Sequence, residues 1–113
     1  MEYQNAIIEK ADIGYEGHGI LTISLVFKGK GWGQGLPGYR LDGCDAMSRF
    51  IDGILKTMEV EWWSCLVGKT CQIGRESGII TRVGGPLADK DCPGDWFDAP
   101  SVAIKCREEW EGK

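Results

Sequence analysis

The sequence predicts a small α+β fold: an antiparallel sheet of two hairpins and one amphipathic helix in a single domain. Three observations carry this. Leu21, Ile23, Leu25 and Phe27 alternate with polar Thr22 and Ser24, the period-2 pattern of a half-buried strand. Met47, Phe50, Ile51, Ile54, Leu55 and Met58 recur at steps of three and four, the apolar stripe of a helix. The 113 residues suffice for one core and not for two, so residues 1–113 are read as one domain.

Taken in order, Asn5 to Gly14 reads as the first strand, with Ile7, Ala11 and Ile13 on one face and Glu9 interrupting it. Glu16-Gly17-His18-Gly19 then forms a hairpin loop leading into the strand Ile20 to Phe27. Gly29 to Gly38 carries glycine at alternate positions, which weakens a strand and marks bulges or close backbone approach. A third strand is expected to resume at Gly38-Tyr39-Arg40-Leu41-Asp42. Asp45 is placed to cap the helix by accepting from free amides of its first turn. Gly53 inside that helix costs about 1 kcal/mol relative to alanine, so it points to close packing or ligand approach. Trp62 to Leu66 reads as a turn on the core. Thr70 to Arg75 and Ile79 to Val83 flank Glu76-Ser77-Gly78 as the second hairpin. Pro86 and Pro93 limit regular structure, and the tail from Pro100 onward reads as a short helix or an edge strand.

The chemistry-bearing residues are few. Cys44, Cys65, Cys71, Cys92 and Cys106 are odd in number and lack the close spacing of zinc ligand pairs, so reduced, mostly buried thiols are expected and no metal or cofactor. The single histidine, His18, has no nucleophile near it in sequence, and no carboxylate pair stands out from the charged surface. No catalytic residue is expected. The run Gly33-Gln34-Gly35-Leu36-Pro37-Gly38 has G-x-G-x-x-G spacing, but Pro37 and the missing helix argue against a dinucleotide fold. It reads either as a phosphate cradle or as a twisted, bulged strand.

Cations and aromatics are the better binding candidates. Arg49, Gly53 and Lys56 fall on one helix face and are suited to a diphosphate, or else form a solvated charged face. Arg75 and Arg82 flank the second hairpin, where they neutralise a ligand or pair with Glu76. Trp96 and Phe97, between Asp95 and Asp98, either stack on a nucleobase or staple the tail to the sheet. The net charge of −4 argues against a broad grip on genomic nucleic acid. No stretch approaches the roughly 20 apolar residues of a membrane span, and the N-terminus lacks a secretion signal, so a cytoplasmic protein is expected. Trp32 and Trp110 fall outside the core periodicity and suggest an apolar surface covered in an oligomer.

Several segments, in order, resemble a known family. They are residues 5–13 with Gly17-His18-Gly19-Ile20-Leu21-Thr22, the run 33–42, Phe50-Ile51-Asp52-Gly53-Ile54-Leu55, residues 60–69, Val83-Gly84-Gly85 and Trp96-Phe97-Asp98. Across residues 5–100 this series is similar to the phage Thoeris anti-defence proteins of the sponge type. That resemblance implies capture, without cleavage, of a glycocyclic ADP-ribose isomer made by a TIR-domain enzyme in the infected bacterial host. It also implies dimers assembled into hexamers with ligand near subunit interfaces, and in some members a separate site for cyclic trinucleotides. Departures fall at Pro37, Gly53 and Gly85, where relatives carry other residues, and at the lengthened loop Lys90 to Gly94. The expected ligand-binding set is therefore Arg49, Gly53, Lys56, Arg75, Arg82, Gly85, Trp96, Phe97 and Asp98. Two other functions are compatible with the sequence: an enzyme degrading the same signal, and a phage interaction protein with no small ligand.

Overall fold

The structure, a computed structural model, describes residues 1–15, 21–36 and 46–101. The elements are β1 (Glu2–Tyr15), β2 (Leu21–Gly29), β3 (Trp32–Gly35), α1 (Ala46–Met58), β4 (Thr70–Glu76), β5 (Ile79–Gly84) and β6 (Trp96–Asp98), with short 3-10 turns at Trp63–Cys65 and Pro93–Asp95. The strands form one six-stranded sheet in the order β3-β2-β1-β4-β5-β6, antiparallel throughout. The small α+β fold follows the sequence pattern. The two expected hairpins, β1-β2 and β4-β5, are joined edge to edge by β1-β4 pairing, and a short strand is added at each end.

The described residues add one strand inside the glycine run and change one expected loop end into a strand. The third strand lies within the glycine run, where Trp32–Gly35 pairs with Val26–Gly29 across a two-residue turn whose Gly31 takes φ +78°. The segment expected to hold it, Gly38 to Asp42, is outside the described residues, as are the first hairpin loop and Asp45. Trp96-Phe97-Asp98 is edge strand β6 rather than a loop end, and residues 99–101 begin a helical turn. The second hairpin turns at Ser77 and Gly78, with φ of 53° and 79°, the paired left-handed geometry that matches strand twist.

The inward face of β1 also differs from simple alternation. Ala6 and Ile8 are buried while Ile7 is exposed. Ile8 pairs with Phe27 and Ala11 with Leu25, so β1 spends three residues where β2 spends two. This bulge, between Ile8 and Lys10, inverts the side-chain phase of the strand. Glu9 therefore does not interrupt one face: it separates two stretches of opposite phase. A second bulge at Thr81 lets both Ile80 and Val83 face the core.

The core gathers Ile8, Leu25, Phe27, Ile73, Ile80 and Val83 from the sheet with Phe50, Ile54 and Met58 from α1. α1 packs on β5 and β6, where Phe50 meets Phe97 edge-to-face at 5.0 Å. At the uncovered end of the same face, Arg75 closes the curl of the sheet. Its guanidinium lies 4.3 Å above the Trp32 ring, donates to Gln34 at 2.8 Å and also donates to Gln4. Gln34 in turn donates to the Gly78 carbonyl at 2.8 Å. In a flat sheet three strand spacings, about 14 Å, would separate β3 from β4, so these contacts require strong curvature.

Gly53 settles its own ambiguity: a Cβ there would lie 2.7 Å from two carbons of the Phe97 ring. The missing side chain is what lets the helix approach β6. Gly53→Ala should therefore destabilise the protein by about 1 kcal/mol, since overpacking at roughly 1–3 kcal/mol outweighs about 1 kcal/mol of helix propensity. In a Phe97→Leu background the same change should be neutral or stabilising. Urea denaturation of the four proteins gives the coupling, and a stabilising Gly53→Ala in the wild-type background would remove this account.

Candidate functional site

The nine residues expected to bind ligand do not converge on one place. Phe97 is buried beneath α1 and fills the space above Gly53, so neither is presented to a ligand. Trp96, only 8% exposed, faces the opposite side of the sheet. Its ring lies 4.9 Å from that of Tyr3, and its indole nitrogen donates to the Asp89 carbonyl at 2.8 Å. Both aromatics act as staples, and base stacking on them is not available in this arrangement. Asp98 is doubly engaged. One carboxylate oxygen accepts from the Ser101 amide at 3.2 Å, capping the helical turn, and the other pairs with Arg82 at 3.2 Å. Arg82 also donates to the Tyr3 hydroxyl at 3.0 Å. Burial opposes its charge, but the bond to Asp98 and the pairing with Tyr3 outweigh this and raise its pKa further. Arg75 is committed to closing the sheet, and it does not pair with Glu76 in the contacts described above.

Lys56 and Gly85 do meet. They line a cleft of about 350 Å³ between the C-terminal end of α1 and the loop running from Gly85 to Asp95. Arg49 lies half-buried on α1 one turn before Gly53. Lys56 is held by Asp52 at 3.0 Å, one turn back. Gly85 runs beside the Thr57 carbonyl, where a Cβ would make an ordinary contact at 3.5 Å. The far wall is pinned by hydrogen bonds. Gln72 donates to the Pro86 and Ala88 carbonyls at 3.1 and 3.0 Å, and the Asp89 amide donates to Asp95 at 3.0 Å.

Glu59, an exposed carboxylate of the charged surface, completes the cleft. It follows the last residue of α1 and takes φ +55°, while Val60 donates back to the Leu55 carbonyl at 3.1 Å and Glu59 to that of Lys56 at 3.2 Å. This is the left-handed helix stop that normally uses glycine. No glycine marks it in the sequence, so no signal was available to find it. Strain held at a cleft is a recurring feature of binding sites. Lys56 and Glu59 stand at the α1 end of the cleft and Asp95 on the loop side, so the cleft offers an amine together with acceptors suited to hydroxyl groups.

Among the described residues no three His, Cys, Asp or Glu side chains stand close enough to hold a metal ion, and no helix is long and apolar enough to cross a membrane. His18 lies outside the described residues. Of the described cysteines, Cys65 and Cys92 are exposed, against the expectation of mostly buried thiols. Cys71 is buried, and burial pushes its pKa up to about 12, which keeps it a neutral thiol. Compared with models of known families, with curated proteins and with solved structures, the chain gives no match.

Replacing Glu59 by glycine separates the two roles of that position. Glu59→Gly should raise stability by about 0.5–1 kcal/mol, because relief of left-handed strain exceeds the added freedom of the unfolded chain. It should also weaken any ligand that uses the carboxylate. Thermal denaturation reads the first effect, and an unchanged or lower midpoint would show that the strain is not stored there.

Proposed function

We propose that this protein is a sponge for a cyclic nucleotide messenger of the glycocyclic ADP-ribose class, binding it without cleavage and so withholding it from a Thoeris effector. The observation that carries the reading is the ordered resemblance across residues 5–100; the helix end just after its Phe50–Leu55 segment, and Gly85 from its Val83-Gly84-Gly85 segment, border the cleft beside Lys56. Its volume of about 350 Å³ falls within the range of small-molecule sites, roughly 300–1,000 Å³. Lys56 supplies a counter-charge for phosphate, and Glu59 and Asp95 supply acceptors for ribose hydroxyls. Hydrolysis would require a positioned nucleophile, an acid/base pair or a metal, and the reading assigns none of these roles to the residues lining the cleft.

Sequestration removes one ligand per site, so heating a preformed complex should return the intact messenger in about one-to-one ratio to subunits. Lys56→Glu should weaken binding about tenfold, or ~1.4 kcal/mol, with the fold retained, because Lys56 is exposed. Mass spectrometry of the released material decides the matter: ADP-ribose or a linear product accumulating over several turnovers would replace the sponge by a degrading enzyme.

The reading also includes a homo-oligomer, dimer-based and hexameric as in the family it resembles. Trp32 no longer supports this, since it packs against the core beneath Arg75. The support comes instead from Trp62 at 69%, Val67 at 54% and Leu87 at 94% exposure, large apolar groups open to a partner. Light scattering at micromolar concentration should give a multiple of the 12.5 kDa chain mass, and a monomer would defeat the assembly.

A further inference from the structure

The sheet ends at β3, and the outer side of that strand is open. Gly29 pairs with Trp32 and Phe27 with Gln34, while the Leu36 amide donates to the Leu25 carbonyl at 2.8 Å. Trp32, Gln34 and Leu36 thus direct their backbone groups to β2. The alternation of an antiparallel ladder then turns the N–H and C=O of Gly33 and Gly35 outward. No strand of the described residues lies beyond them, and both glycines are exposed.

β3 is anchored from one face only. Trp32 lies 4.3 Å beneath the Arg75 guanidinium, and Gln34 accepts from Arg75 and donates to the Gly78 carbonyl, each at 2.8 Å. Its other face is bare. A Cβ on Gly33 would meet nothing closer than the Phe27 carbonyl at 3.8 Å, and one on Gly35 nothing closer than the Leu25 carbonyl at 3.6 Å. Edge strands are ordinarily guarded by charge, proline or a bulge. None of the four residues of β3 is charged or a proline, and its register with β2 is unbroken. Shortness is the guard it keeps, and that limits an occupant to a few paired residues.

The neighbours on the bare face are selective. Lys28 pairs with Gly33 and Val26 with Gly35, one strand in from the edge. A cleft of about 510 Å³ on this face is lined by Lys28 and Lys30 and by no carboxylate, although the chain carries a net charge of −4. A strand added outside β3 would lie two strand spacings, about 10 Å, from β2 with only glycine between. An acidic side chain opposite Gly33 would then reach the Lys28 ammonium over bare backbone. A β-branched one opposite Gly35 would pack over that glycine against Val26.

We propose that the β3 edge takes up an extended, acidic-apolar peptide segment of a partner protein as an antiparallel seventh strand. The N–H and C=O groups of Gly33 and Gly35 hold its backbone. Its acidic residue pairs with Lys28, and the apolar residue two positions earlier sits on Val26. The edge is separate from the cleft beside Lys56, so the proposal does not rest on messenger capture.

The test is fluorescence anisotropy of the whole protein with the labelled peptide Thr-Thr-Val-Thr-Glu-Thr-Thr. Binding should be tighter than ~1 mM and weaken as salt is raised. Glutamine in place of the peptide's glutamate should lower affinity about fivefold on the wild type and not at all on Lys28→Gln. A methyl group on the valine nitrogen keeps the side chain but removes the donor to Gly35, and should abolish binding. Gly33→Val fills the lane to Lys28 without touching the core, so it should weaken the glutamate peptide about fivefold with the thermal midpoint kept. Lys56→Glu should leave the affinity unchanged. No binding at ~1 mM would overturn the proposal, as would an N-methylated peptide that binds equally well or a glutamate effect that persists in Lys28→Gln. Peptide affinity that rises as the protein is diluted to monomer would give the edge to a second copy of this chain, and would overturn it too.

Discussion

The packing of Phe97 into the space left by Gly53 sets where α1 sits on the sheet, and much else depends on that position. β6 is only three residues long and lies at a sheet edge. A side chain at residue 53 would hold the helix away from it. With the helix close, Phe50 and Phe97 interlock, and Thr57 comes within contact range of Gly85. The Lys56 cleft is the gap that remains where the end of α1 passes the loop after β5. Its dimensions are a by-product of a packing contact one turn away.

The alternation of β6 extends this constraint to the other face. Since Phe97 must point at α1, Trp96 and Asp98 point away from it. Trp96 then meets Tyr3 and takes the Asp89 carbonyl, which draws the long loop back over the sheet. Asp98 meets Arg82 and caps the next turn. Three adjacent residues that invite a ligand-binding interpretation are each fully used in holding the chain together. A ligand site here must be built from the loop and helix end that they position.

How much of this was legible in the sequence depended on whether the cue was periodic. The helix stripe and the β2 alternation are strong periodic signals, and both elements formed, with Ile23, Leu25 and Phe27 of β2 and Phe50, Ile54 and Met58 of α1 in the core. The second hairpin was marked by its turn chemistry at Ser77-Gly78. The bulges at Glu9 and Thr81 were hidden because an inserted residue breaks the period that defines the signal. Ile7 therefore read as core, although it is 39% exposed, whereas Ile13 does lie on the inward phase beyond the bulge, opposite Ile23, yet is 40% exposed. The candidate site was legible only in part. Lys56 and Gly85 were singled out and do meet, whereas Glu59 depends on a left-handed backbone without glycine, and Arg75 and Arg82 serve contacts between distant strands. Long-range pairing of that kind leaves no mark on neighbouring residues.

The bulge at Glu9 has a further consequence in terms of parity. Before it, even-numbered positions of β1 are on the core side of the sheet; after it, odd-numbered ones are, with Ala11 opposite Leu25 and Ile13 opposite Ile23. The strand thus carries two codes, one written against β4 and the other against the far half of β2, with Glu9 as the sign change between them. Neither half constrains the letters of the other. The outer half of the first hairpin is free to vary its surface without disturbing the core, and the inner half turns an isoleucine outward without exposing the core that lies behind it.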